Sequence, residues 1–299
     1  VSNSQDDRAA FVGRLLVLGA ALMWSINGLF VKAPLFDVWS PEERGIILAF
    51  WRALFAGLWL LPAVRRPRFR MALLPMIVAF TAMSLSFLQS MSLTTAANAG
   101  WLQAAAPLWV LVLGVGIWRE PLDRRDLAPL VWGLSGIVLI LIFELTHASS
   151  METSLLGPML GVVSGVCYAI VVLSIRRLRD ENGAWLIALN LLASAAIIGP
   201  FCLTQYGVPS TSQLFALCAF GLLQMGVPYL LMAAALRRIS SQEAAGIGLV
   251  EPVLVPVWVW LVWGEVPAWW TLAGGAAILC GLILRYRRRE PTIEIPIME

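Results

Sequence analysis

The sequence predicts an all-α polytopic membrane protein of ten transmembrane helices, and three observations carry that reading. Of its 299 residues, 60% are hydrophobic and only 13% charged, with a mean hydropathy of +0.82; a soluble domain carries about 25% charged residues. The apolar residues come in blocks of about twenty, the length a helix needs to cross a hydrocarbon core of about 30 Å. Lys and Arg recur in alternate loops. With the N-terminus in the cytoplasm, all but Lys32, Arg44 and Arg52 of the 21 basic residues fall on that side, the positive-inside pattern of ten spans with both termini cytoplasmic.

Taken in order, the blocks centre near Leu22, Phe55, Phe80, Pro107, Leu134, Val166, Leu192, Met225, Pro252 and Ala277. Each must be helical, because in lipid every backbone polar group needs an internal partner. The first block is long for a signal-peptide core and carries Asn27 and Lys32 near its end, so it is expected to be a retained span. The longest polar connections, around 34–44 and 145–154, leave no room for a soluble domain. Cys167, Cys202, Cys218 and Cys280 lie in apolar blocks at unrelated spacings and read as free thiols. No metal or cofactor pattern is present, and the small net charge of +3 reflects loop topology, with no nucleic acid implied.

The chain also repeats itself. A shift of 145 residues lays "APLWVLVLGVGIWRE" (106–120) on "EPVLVPVWVWLVWGE" (251–265), pairing Pro107 with Pro252, Trp118 with Trp263 and Glu120 with Glu265. The same shift pairs Leu127 with Leu272, Gly136 with Gly281 and Leu139 with Leu284, while a shift of 144 sets Gly13 on Gly157 and Trp24 on Tyr168. The sequence therefore divides into a five-helix repeat over 10–144, a second over 155–289, and a cytoplasmic tail, 290–299. Five is odd, so the second repeat enters the membrane in the opposite sense, an arrangement typical of secondary transporters.

These residues resemble the drug/metabolite transporter superfamily, and "EPVLVPVWVWLVWGE" is similar to the most recognisable element of its EamA-type members. The resemblance covers roughly residues 13 to 286. With "NAGWLQAAAPLW" in span four and several mid-span aromatics, the chain looks most like the YddG-type aromatic amino acid exporters. That resemblance implies efflux of amino acids across the bacterial inner membrane by alternating access. In one respect the halves differ: Ala106 stands where the second repeat has Glu251.

Glu251 is an ionisable residue near the centre of span nine, where it costs about 2.5–3.5 kcal/mol on insertion scales. It could pair with a substrate ammonium or carry a proton, or it could cap freed backbone amides. Pro107, Pro228, Pro252 and Pro256 each remove a helical hydrogen bond and free the carbonyl four residues earlier. Spans four, eight and nine are therefore expected to bend, with Pro107, Pro252 and Pro256 as gating positions. Candidate substrate contacts are Trp24 and Asn27 in span one, Ser86 in span three, Asn98 and Trp101 in span four, Tyr168 in span six, Tyr229 in span eight and Trp258 in span nine. Asn98, Trp101, Ala105 and Trp109 share one helical face by spacing.

Most of the fourteen tryptophans, Trp51 among them, sit where an interfacial aromatic belt would explain them. Trp24, Trp101, Trp109 and Trp258 lie deeper, and an aromatic-lined cavity would suit a planar side chain by stacking and an ammonium by cation–π attraction. Arg52 is read about a turn inside the outer end of span two, where it could hold a carboxylate substrate at an outer vestibule but is expected to snorkel to the surface.

An enzyme is excluded by what it would need. The sole histidine, His147, lies in an external loop, there is no HExxH run, and "DRRD" (123–126) is a single acidic motif. With no phosphate-binding loop, ATP is not the direct energy source. An exporter of organic cations or other small metabolites is the alternative within the same fold, and a monomer would suffice for either.

Overall fold

The computed structural model describes residues 2–65, 67–118, 124–147, 155–178 and 180–288, and these form helices and their connections with no strand. Among the described residues, ten helices are long and apolar enough to cross a membrane: α1 (Arg8–Val31), α2 (Pro41–Ala63), α3 (Leu73–Leu93), α4 (Ala96–Gly116), α5 (Arg124–His147), α6 (Leu156–Arg177), α7 (Gly183–Tyr206), α8 (Thr211–Ala235), α9 (Ser241–Trp263) and α10 (Trp269–Tyr286). Each predicted block centre falls within its span. The tail 290–299 and Glu120 lie outside the described residues.

The helices pack mainly as α1 on α8, α2 on α7, α3 on α6 and α5 on α10. In lipid, close approach needs small residues, since lipid tails offer no hydrophobic drive. At the α5–α10 seam a side chain on Gly136 would strike the carbonyl oxygen of Gly274, so glycine is what lets these two backbones touch. Gly264 closes α9 with φ +72°, a left-handed conformation that glycine adopts without a Cβ penalty, and so delivers the chain to Glu265. All four cysteines are free, with Cys202 buried and the others half-buried.

Four spans are interrupted. In α4, after its N-cap Thr95, the helix breaks at Ala105; in α9, after its N-cap Ser240, it breaks at Leu249. Thr95 accepts the Asn98 backbone N–H at 3.1 Å, and Ser240 accepts that of Glu243 at 3.2 Å. The 145-residue shift sets these capped starts on each other. Pro107 and Pro252 each fall in the first turn after a break, where the missing N–H costs least. Pro256 instead sits within the continuous helix Val250–Trp263. Pro228 follows a π-helical turn at Leu222–Gly226 in α8. The interruption of α1 at Ile26 carries no proline.

The expected position of Arg52 needs correction. The helix of α2 starts at Pro41, after a capping box in which the Glu43 carboxylate accepts the Ser40 backbone N–H at 3.1 Å. Arg52 is therefore the midpoint of a 23-residue span and only 1% exposed, too deep to snorkel. Trp51 beside it is likewise buried in the core, away from any interfacial belt.

Candidate functional site: a central cavity open at the basic end

Arg52, Glu251 and the faces of five other spans meet in the middle of the bundle. Trp24 and Asn27 come from α1, Met83 and Phe87 from α3, Gln103 from α4, Tyr168 from α6, and Gln224 and Tyr229 from α8. The chamber they line adjoins a cavity of about 440 Å³, with which it shares Trp24, Asn27, Tyr168, Tyr229 and Glu251. That cavity runs past Pro107, Gly248 and Pro252 to Leu236, Ser241 and Tyr286, at the end of the bundle that carries Arg176, Arg237 and Arg238. A side pocket of about 180 Å³ between Tyr168, Arg176, Arg285 and Tyr286 adjoins it.

Local structure aims these groups. The Trp24 and Tyr229 rings meet edge to face at 5.4 Å and join α1 to α8. Gln103 donates to Ser164 Oγ at 2.7 Å, and Ser164 donates to the Met83 carbonyl at 3.2 Å, tying α3, α4 and α6 beneath the chamber. The π-helical turn carries Gln224, whose Oε1 accepts from Arg52 Nη1 at 2.8 Å; such turns often mark functional positions. The break at Leu249 leaves Glu251 in the first turn of a new helical segment, where the exposed N–H groups favour a carboxylate. Glu251 makes no ion pair with another described residue.

The opposite end is shut. Glu265 accepts the Ala96 backbone N–H at 2.7 Å and lies 3.1 Å from Lys32 Nζ, which also donates to the Thr94 carbonyl at 2.7 Å. Trp263 Nε1 donates to the Leu29 carbonyl at 3.0 Å. A second network centres on Asn98: its Nδ2 donates to Glu144 at 2.7 Å and to Thr94 Oγ1 at 3.0 Å, while its Oδ1 accepts from Thr271 at 2.7 Å. Trp270 Nε1 donates to the same Glu144 oxygen at 3.1 Å. Together these bonds join α1, α4, α5, α9 and α10.

Of the residues singled out in the sequence, Trp24, Asn27, Tyr168, Tyr229 and Glu251 share the cavity, with Pro107 and Pro252 along its wall. Four others lie elsewhere. Asn98 belongs to the closed end. Trp101 packs in the α4–α5–α10 core, over the place a side chain on Gly275 would need. Ser86 donates back to the Ala82 carbonyl at 2.6 Å, and Trp258 Nε1 donates to Ser25 Oγ at 2.9 Å. Gln224 was missed as a lining residue, and Arg52 was weighed only as an outer-end residue; the Ser-Pro-Glu-Glu helix start at 40–43 was the signal that would have placed Arg52 at mid-span. No group of His, Cys, Asp and Glu suited to a metal occurs among the described residues.

Two stretches of the chain, 11–142 and 155–287, match the EamA-like transporter family. The chain belongs to that family. It is a multi-pass membrane transporter of the EamA type, and not an enzyme. Over 277 residues it is 29% identical to an uncharacterized transporter of Archaeoglobus fulgidus, covering 91% of this chain and 95% of that one. The pseudopaline exporter CntI of Pseudomonas aeruginosa is 28% identical over 199 residues, 65% of this chain and 67% of its own. A protein of known crystal structure shares the fold with a TM-score of 0.62 at 18% identity, over 93% of this chain and 99% of that one.

Proposed function

We propose that this EamA-type transporter exports amino acids, aromatic or large apolar ones, by alternating access. The observation that carries the proposal is the cavity itself: an aromatic-lined chamber with a carboxylate at mid-span, open at the basic end and closed by bonded side chains at the other. The positive-inside pattern makes the basic end cytoplasmic, so a molecule would enter from the cytoplasm of a cell whose inner membrane holds the protein. Trp24, Phe87, Tyr168 and Tyr229 offer faces on which a planar side chain stacks and toward which an ammonium is drawn. Similarity to a pseudopaline exporter supports the outward direction.

Two family matches and two capped, broken helices at equivalent positions support a pair of five-helix repeats, 10–144 and 155–289, of opposite sense. In that arrangement the breaks before Pro107 and Pro252 are the joints at which α4 and α9 exchange an open for a closed end. Pro256 shapes a helix that moves as one piece. Glu251 receives the substrate ammonium or a proton. One copy of the chain contains the entire cavity, so a monomer is sufficient.

Proteoliposomes loaded with tryptophan or phenylalanine test the proposal, with release followed with and without a pH gradient for the native protein and Glu251→Gln. Release by the native protein that responds to the gradient, and a variant that does not respond, makes Glu251 the coupling group. Equal release by both, indifferent to the gradient, makes the protein a facilitator with a structural Glu251. Movement of an organic cation but of no aromatic amino acid overturns the substrate reading.

A further inference from the structure

We propose that Arg52 anchors an anionic group of the transported molecule, so that the substrate is a carboxylate-bearing species held between Arg52 and Glu251. The inference rests on the reading of the cavity as the transport site and narrows its substrate class. A zwitterion fits such a chamber; a simple organic cation does not.

The environment of Arg52 carries the argument. Its guanidinium lines the chamber with Glu251 yet is only 1% exposed. Its partners among the described residues are all neutral: Nη1 donates to Gln224 Oε1 at 2.8 Å, Nη2 donates to Ser84 Oγ at 2.7 Å, and Cζ lies 5.3 Å from the centre of the Phe220 ring. The ion pairs of the described residues leave it out. Arginine keeps its charge in proteins, and a buried charge without a counter-ion is electrostatically incomplete. Its Nε–H is also buried with no acceptor.

A purely structural arginine would have its donors used, because an unmet buried donor is costly and uncommon. Here α3 and the π-helical turn of α8 hold the guanidinium from two sides and leave its Nε–H without an acceptor and its charge without a counter-ion among the described residues. The same chamber contains the complementary vacancy. Asn27 is 1% exposed, and its Oδ1 is a buried acceptor with no donor. An unmet donor on a cation and an unmet acceptor in a chamber with a carboxylate are what the carboxylate and ammonium of an amino acid would satisfy. Arginine also suits carboxylate geometry, since its planar fork presents parallel N–H groups.

Binding to the purified protein, measured calorimetrically for phenylalanine, phenylalaninamide, phenethylamine and 3-phenylpropionate, tests the anchor. The native protein should bind phenylalanine roughly a hundredfold more tightly than the amide or the amine, because a site built for a polar group rejects analogues that lack it. Arg52→Gln should abolish that preference, and Arg52→Lys should retain part of it. Native protein that binds phenethylamine as tightly as phenylalanine overturns the anchor. This comparison needs no variant, so it stands even if Arg52→Gln fails to fold. A folded Arg52→Gln that keeps the native preference also overturns it. Arg52-dependent binding of 3-phenylpropionate without binding of phenylalanine would uphold the anchor while removing the amino acid reading. Phenylalanine transport indifferent to Arg52 substitution would do the reverse.

Discussion

Lys32 and Glu265, from the ends of α1 and α9, form an ion pair of 3.1 Å with each side chain about 20% exposed, and Glu265 also caps the first turn of α4 through Ala96. Three spans are joined by one carboxylate. Surface ion pairs contribute little, about 0–1 kcal/mol, but this one is partly shielded and shares its carboxylate with a helix N-terminus. Its strength is of the size that biases two conformations of comparable energy.

Lys32→Met or Glu265→Gln should therefore shift the population toward a state open at the end opposite the arginines. A single cysteine replacing Phe87, in a background without the four native cysteines, would report the shift. Impermeant thiol reagents added from that side should label it several-fold faster in either variant. Unchanged labelling would remove the gating role of the pair.

The Trp24–Tyr229 contact makes a second prediction. Its edge-to-face geometry at 5.4 Å supplies a wall for a planar substrate, and aromatic pairs of this kind contribute about 0.5–1.5 kcal/mol beyond area burial. Trp24→Ala should weaken binding of tryptophan roughly 2–10-fold. The loss for alanine as ligand should be smaller. Calorimetric titration of both ligands gives the comparison, and equal losses would contradict stacking.

Asn98 makes a third. It is fully buried, bonds Glu144, Thr94 and Thr271, and is not among the residues that line the chamber. Asn98→Ala strands those partners and should cost about 1–3 kcal/mol of stability, seen as a lower melting temperature in detergent. The Km for transport should stay within about twofold of native, because the residue touches no cavity wall. A raised Km with unchanged melting would return Asn98 to the substrate site.

These contrasts trace what the sequence could and could not carry. Span number follows from composition, and the breaks in α4 and α9 follow from local proline chemistry, so both were legible. The break at Ile26 was not, because no proline marks it; there Ser25 is held by Trp258 from the far end of the chain. Arg52 was misplaced because the start of span two was read too late, whereas the capping box at Ser40 and Glu43 begins the helix at Pro41. Asn98 and Trp101 lie on the face that spacing assigned to them. What that face meets is decided by Glu144, Thr271 and Gly275 from other spans, and helical spacing holds no information about those partners.

We place the transport site in the chamber between Arg52 and Glu251, reached from the basic end. This placement is tested most directly by a single cysteine at Met83, which lines that chamber, in reconstituted protein exposed to an impermeant thiol reagent from each side. Labelling should be faster from the basic side and slowed in a saturable way by tryptophan or phenylalanine. Labelling indifferent to both amino acids, or faster from the opposite side, would contradict it.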